Sequence, residues 1–211
     1  EKIESTGSIS IPNQYYPGKV SVFREWKAHG WVDMRDALAV SSDVYFYEIG
    51  GGYEDQKGLG IVNIEKYARL FGFGEKTGID LPDETKGVIP SPEWKMKNFP
   101  GDPWRIGNTY HTAIGQYGFQ VTPIEMVRAI SAIANKGKLL TPHFLLNDKE
   151  KESKMSTLDF KKEYYDVIHQ GMRQAVTYGT ALGLNIPYVE VVAKTGTAQL
   201  GVAKNKVNSW V

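Results

Sequence analysis

Apolar residues recur at helical spacing in five stretches of the chain and gather in β-branched runs near its end. From Asp33 onward, Met34, Ala37, Leu38 and Val40 fall on one face of a helix. Ser41-Ser42-Asp43 interrupts it. A second apolar helix, Val44 to Ile49, closes at Gly50-Gly51-Gly52. Asn63 is placed to cap a third helix, with Ile64, Tyr67, Ala68 and Phe71 inward and Gly72 and Gly74 at its end. Thr122-Pro123-Ile124-Glu125 is the best-marked helix start, with a cap, a first-turn proline and a capping-box glutamate. Met126, Ile130 and Ile133 follow at helical spacing, and Gly137 is the stop. A last helix, roughly Asp159 to Thr177, turns Tyr164, Ile168, Met172 and Val176 inward and has Gly179 beyond its end. The run Val189 to Val192 predicts a strand over 188–198, followed by a turn at Gly201 and a strand from near Val207.

Between these elements the chain is less regular. Residues 1–30, punctuated by Pro, Gly and Tyr, read as loops and short strands. Pro82 to Pro103 reads as an ordered surface loop, and Asn147 to Lys154 as a solvated one. There is no internal repeat. Central helices followed by an antiparallel strand pair predict an α+β domain, not a doubly wound one.

Composition narrows the function without choosing it. A chain of 211 residues can bury one sizeable core, or one core plus a small subdomain. The formal net charge of +1 gives no pull toward nucleic acid or an anionic membrane. There is no cysteine, which removes disulfides, thiolate catalysis and cysteine-based zinc sites. No run of about 18 apolar residues exists to span a membrane, and no signal peptide is visible. Both chain ends read as cuts within a larger protein.

The candidate chemistry lies in Val192-Ala193-Lys194-Thr195-Gly196-Thr197-Ala198-Gln199. Lys194, Thr195 and Thr197 set a cation and two hydroxyls along one edge, and Gly196 adds no side chain to block a ligand. That equipment suits holding a carboxylate while a neighbouring serine attacks an amide. Lys-Thr-Gly is a signature of penicillin-binding proteins and serine β-lactamases. Ser41-Ser42-Asp43 lies about 150 residues earlier, at a helix junction, where serines and aspartates are common as caps. His29, His111, His143 and His169 have no ligand spacing, so no metal is expected. Glu125 reads as a capping residue only. Trp94 and Trp104 read as core or loop anchors, with Trp104 and Tyr110 also candidates to line the cleft.

The segment Gly30-Trp31-Val32-Asp33-Met34-Arg35-Asp36-Ala37-Leu38-Ala39-Val40-Ser41-Ser42-Asp43-Val44-Tyr45-Phe46-Tyr47 strongly resembles the transpeptidase domain of class B penicillin-binding proteins. More narrowly, it resembles the elongation, or rod-shape, subgroup, which tends to carry Ser-x-Asp where most relatives carry Ser-x-Asn. Phe71-Gly72-Phe73-Gly74, Thr77-Gly78-Ile79-Asp80-Leu81-Pro82, Glu93-Trp94-Lys95, Ile114-Gly115-Gln116 and Thr122-Pro123 agree, in collinear order. The resemblance implies the penicillin-binding protein/serine β-lactamase fold: an antiparallel sheet packed with helices, here incomplete at both ends. Residues 1–211 would be the C-terminal portion of a single transpeptidase domain. The implied activity is D,D-transpeptidation of peptidoglycan stem peptides ending in D-Ala-D-Ala, with β-lactams entering the same site. It also implies cell-elongation membrane proteins as partners, an upstream membrane anchor, an extracytoplasmic location, and no cofactor.

The same resemblance implies the residue roles. Lys194 supplies fixed positive charge, Thr195 and Thr197 bind the substrate carboxylate, and Gly196 leaves the approach open. The Thr197 backbone N–H forms half of an oxyanion hole. Ser41 relays a proton to the leaving amine, and Asp43 holds the lysine of the family's Ser-x-x-Lys motif and the substrate backbone. Two departures stand out. No Ser-x-x-Lys suitable for the nucleophile occurs in the chain, so its place is expected before Glu1. Tyr117 stands where relatives commonly have glycine. Two other readings remain open here: a non-catalytic relative that binds β-lactam or muropeptide, or scaffolds the cell-wall machinery, and a serine β-lactamase.

Overall fold

Residues 3–32 contain two antiparallel strand pairs. Strand β1 (Ile3–Ser5) pairs with β4 (Gly30–Val32), and β2 (Ser8–Pro12) pairs with β3 (Val20–Arg24). The computed structural model describes residues 2–145, 155–199 and 207–210. Inward residues alternate along the first two strands: Ile3 and Ser5 on β1, Ile9 on β2, with Phe23 inward on β3.

Asp33 then caps α1 (Met34–Val40), its carboxylate accepting from the Arg35 and Asp36 amides. Ser42 caps α2 (Asp43–Gly51), which closes at Gly52 with positive φ. Both helices match the sequence reading, except that Ala39 is fully buried on α1 and Leu38 only partly. Helix α3 (Ile61–Leu70) begins before Asn63, which is an exposed helical residue and not a cap. The expected surface loop of 82–103 contains α4 (Pro92–Asn98), capped by Ser91. Helix α5 (Ile106–Ala113) follows; α6 (Pro123–Ala134) shows the full Thr122/Glu125 capping box. On α6 the buried residues are Glu125, Ala129 and Ala132, whereas Met126 and Ile130 are exposed. Small residues there allow close packing, and the larger apolar ones take the outer face.

Strands β5 (Lys138–Leu140) and β6 (Met155–Thr157) pair antiparallel. Helix α7 (Lys162–Thr177) turns Tyr165 inward where Tyr164 was expected, with Met172, Ala175 and Val176. The predicted strand 188–198 is corrected by the structure. Residues 188–195 are irregular, and β7 covers Gly196–Gln199 only, paired with β8 (Val207–Trp210). A β-branched run makes a strand only where a partner supplies the ladder, and the β7–β8 ladder begins at Gly196. The expected loop of 147–154 and the turn at Gly201 lie outside the described residues. The class is α+β, but among the described residues the strands form four two-stranded antiparallel pairs instead of one continuous sheet.

The chain divides into two units, residues 1–60, 106–116 and 167–211 in the first and 61–105 with 117–166 in the second. In the first, Ile9, Phe23, Val44, Tyr47 and Tyr110 form one cluster, with α2 packed on α5. The approach is close: a Cβ on Gly51 would fall 2.3 Å from the Tyr110 ring. Ile3, Val32, Ala37 and Tyr45 form a second cluster, and Ala175, Val176, Ala181 and Ala193 a third. In the second unit Ala132, Leu139 and Leu158 pack with Phe71 and Phe160, whose rings stack. Tyr117 there has φ 59°, a left-handed conformation that glycine adopts at no steric cost. Its ring meets Trp94 and Trp104 edge-on, which makes both tryptophans anchors as expected.

Candidate active site

The site residues all belong to the first unit. Ser41 and Ser42 are adjacent in sequence and do different work. Ser41 ends α1 in the left-handed region (φ 56°, ψ 52°), its amide donating to Ala37 O. Few non-glycine residues sit there without local support. The support comes from Trp26, whose indole Nε1–H reaches Val40 O at 3.2 Å and Ser41 O at 3.3 Å. Ser42 is extended and fully buried. Its hydroxyl accepts from Tyr45 N and donates to Glu25 Oε2 at 2.9 Å. Capping therefore falls to Ser42, which leaves the Ser41 hydroxyl free to face outward from the junction.

Lys194 meets that hydroxyl. The chain arrives from α7 through Ala193, which is buried and donates its amide to Met172 O at 3.1 Å. Lys194 Nζ then donates to Ser41 Oγ at 2.7 Å and to Thr195 O at 2.9 Å. Burial lowers the lysine's pKa, and the Asp43 charge opposes that fall. Asp43, the first residue of α2, is pushed up to about 6, by burial first and the nearby Glu25 carboxylate second, against the pull of Lys194. Near neutrality this carboxyl can therefore be taken to either protonation state, as acceptor only or as donor and acceptor.

The remaining expected residues follow Lys194 directly. Thr195 Oγ1 lies 2.8 Å from Thr180 Oγ1. Gly196 and Thr197 open β7 and are exposed, opposite Trp210 and Ser209 of β8. Gln116 Nε2 donates to Thr197 O at 2.9 Å, which fixes the strand's start from the end of α5. Thus Ser41 and Lys194 are in direct contact, Asp43 lies within their electrostatic reach, and Thr195 and Thr197 are each held by a residue from elsewhere in the chain. Tyr110 is not a cleft residue: it is 1% exposed and donates its hydroxyl to Gly52 O. Glu25 and Thr180 carried no signal in the sequence; folding alone brings them to the site. Gln116 was visible only as part of the Ile114-Gly115-Gln116 string.

These features define a class. The family described as the penicillin binding protein transpeptidase domain matches residues 2–211, and the chain belongs to it. Within the family it is of the penicillin-binding protein 2 type. It is 33% identical over 211 residues to the peptidoglycan D,D-transpeptidase MrdA of Acinetobacter baumannii, covering 94% of this chain and 30% of that protein. The penicillin-binding protein 2 of Helicobacter pylori matches its fold with a TM-score of 0.80 at 35% identity, over 95% of this chain and 36% of that one. A second structure holds the Helicobacter pylori protein in complex with MreC, with the same TM-score, identity and coverage. The chain spans about a third of the length of the relatives it matches.

Proposed function

We propose that residues 1–211 are the C-terminal portion of a single transpeptidase domain in a longer peptidoglycan D,D-transpeptidase. The enzyme crosslinks stem peptides through a serine acyl-enzyme and is acylated by β-lactams. The observation that carries this reading is the 2.7 Å bond between Lys194 Nζ and Ser41 Oγ. It joins two motifs that have no reason to meet unless they share one reaction centre.

Acyl transfer needs a nucleophile, a proton path to the leaving amine, and charge to hold the substrate. The nucleophile is the serine of the family's Ser-x-x-Lys motif, and residues 1–211 contain no such motif. Ser41 is the proton relay. Its hydroxyl both donates and accepts, and Lys194 fixes it in place. The Lys194 charge attracts the terminal carboxylate of D-Ala-D-Ala, with the Thr195 and Thr197 hydroxyls as its hydrogen-bond partners. Gly196 leaves the strand edge open to the peptide. The Thr197 backbone N–H supplies half of the oxyanion hole, a donor whose loss costs about 3–4 kcal/mol of transition-state stabilisation. Asp43 holds the lysine of the family's Ser-x-x-Lys motif and the substrate backbone. Its raised pKa allows it to donate as well as accept, as the asparagine of other relatives does.

The partners proposed with this reading are peptidoglycan stem peptides, β-lactams and a membrane protein of the cell-elongation machinery. The last is supported by the complex of the Helicobacter pylori relative with MreC. An anchor outside residues 1–211 would hold the domain on the extracytoplasmic face of the membrane. Among the described residues, no helix is long and apolar enough to cross it.

The test is acylation of the full-length protein by a fluorescent penicillin. Labelling is expected, and Lys194→Ala and Ser41→Ala should each suppress it. A folded full-length protein that takes up no label overturns the reading in favour of a non-catalytic relative.

A further inference from the structure

Glu25 lies just beyond β3 and touches three elements at once. Its Oε1 accepts from Ser5 Oγ, on β1. Its Oε2 accepts from Ser42 Oγ at 2.9 Å and from the Val44 amide at 3.4 Å. Ser5 is fully buried and is itself tied down, accepting the His29 amide on its carbonyl at 2.9 Å and on its hydroxyl at 3.2 Å. The carboxylate is thus fastened to the strand pair on one side and to the helix junction on the other. Trp26, the next residue, holds the Val40 and Ser41 carbonyls from the same segment. Together these residues clamp the backbone on both sides of the Ser41 side chain, while leaving that side chain to Lys194.

We propose that Glu25 is a positioning residue of the active site: it bonds the Ser42–Val44 turn through one carboxylate oxygen and Ser5 through the other, and so holds Ser41 Oγ against Lys194 Nζ and sets the electrostatic surroundings of Asp43. The proposal deepens the transpeptidase reading and rests on it. Glu25 touches no substrate; it acts through Ser42 and Asp43.

The charges around Asp43 make the role measurable. Asp43 faces Glu25 from the end of β3, Lys194 from the segment before β7, and Tyr47 one turn along its own helix. His29 faces Glu25 and Lys27 in turn, from the stretch before β4. Glu25 is the negative neighbour that raises the Asp43 pKa. Removing its charge while keeping its shape should lower that pKa, and a merely structural residue would not have this effect.

The experiment compares the full-length wild type with Glu25→Gln and Glu25→Asp. Penicillin acylation rate and thermal stability are both followed across pH. Glu25→Gln should slow acylation by about 10- to 100-fold, the usual result of loosening a reacting group's position. It should also move the limb of the profile that follows Asp43 to lower pH. Glu25→Asp keeps the charge, so its limb should stay near that of the wild type while part of the rate returns. A Glu25→Gln profile that matches the wild type overturns the proposal. So does a uniform loss of rate in both variants with the limb unmoved. If Glu25→Gln does not fold, Glu25→Asp decides, because a wild-type rate there is incompatible with a bond that fixes Ser41. A wild type that takes no label refutes the transpeptidase reading itself. The stability curves then judge Glu25 alone: the pH window in which Asp43 titrates should narrow in Glu25→Gln, and an unchanged window overturns the proposal.

Discussion

Thr180 Oγ1 sits 2.8 Å from Thr195 Oγ1, and the Thr180 amide donates to Ala39 O at 3.0 Å. A single residue, three positions beyond α7, therefore ties the backbone of α1 to the threonine that follows Lys194. The hydroxyl pair is also a short proton chain. Without substrate, Thr180 Oγ1 can point at Ala39 O, 3.4 Å away, and accept from Thr195. Under the proposed reading Thr195 donates to an arriving substrate carboxylate, and Thr180 can then turn to donate to Thr195.

Thr180→Val keeps the volume and removes the hydroxyl, so it should weaken the response to a carboxylate without disturbing the fold. One net hydrogen bond is worth about 0.5–1.5 kcal/mol, or roughly 2- to 10-fold in penicillin acylation. Thr180→Ser should restore most of the rate. A Thr180→Val protein that acylates as fast as the wild type would show that Thr195 needs no partner.

Ser41 offers a stability test that is separate from activity. Its left-handed backbone costs a non-glycine residue about 1–2 kcal/mol. Ser41→Ala loses the hydroxyl and keeps the strain, whereas Ser41→Gly loses the hydroxyl and relieves it. Denaturant melts should place Ser41→Gly above Ser41→Ala by about 1 kcal/mol, with both poorly acylated. Equal stabilities would mean that the turn relaxes once Lys194 lets go.

Much of this was legible in the sequence because caps and motifs are local. Asp33 and Ser42 mark their helices, and Thr122 with Glu125 marks α6, through contacts within a few residues. Helix α4 was hidden because it is short, lies in a proline-rich stretch, and buries Lys95 where an apolar stripe would be looked for. That lysine bonds Pro103 O at 2.8 Å and pairs with Asp102. Helix α3 has no fully buried residue: on the face its amphipathic pattern marked, Ile64 and Ala68 are only half-buried, Tyr67 is exposed although its ring meets Phe160, and Phe71, just beyond the helix, packs on the core. In the site, the motif strings located Ser41, Asp43 and Lys194. Glu25, Thr180 and the Gln116 contact could not be located in that way, because their partners are set by tertiary folding over long separations.

The Asp43 carboxyl should leave a mark on stability with a sign opposite to that of an ion-paired aspartate. Its pKa rises from 3.8 to about 6 on folding. Between about pH 4 and pH 6 the folded chain keeps a proton that the unfolded chain has released, so stability falls as pH rises through that window. Asp43→Asn cannot titrate. The gap between the thermal midpoints of this variant and the wild type should therefore widen in the variant's favour from about pH 4 to pH 6 and then level off. Parallel curves would show that Asp43 titrates at its ordinary value.

Glu125 looked like a capping residue, and it is also the hub of the second unit. It is 1% exposed. Its carboxylate accepts from the Gly74 amide at 2.9 Å, the Gly87 amide at 3.0 Å and the Thr122 amide at 2.6 Å. No side chain can approach from Gly87, where a Cβ would lie 2.2 Å from Gln120 O. Glu125→Ala strands three backbone donors, each costing about 1–3 kcal/mol if left dry, with water recovering part of the loss. The net destabilisation expected is about 3–4 kcal/mol, well above the 1 kcal/mol or so of an ordinary lost cap. Glu125→Gln should fall between the two, since its amide oxygen can still accept while its NH₂ faces a donor. Urea denaturation of the three proteins decides the point. A Glu125→Ala loss no larger than that of Thr122→Ala would reduce Glu125 to a cap and leave the Gly74 and Gly87 contacts without energetic weight.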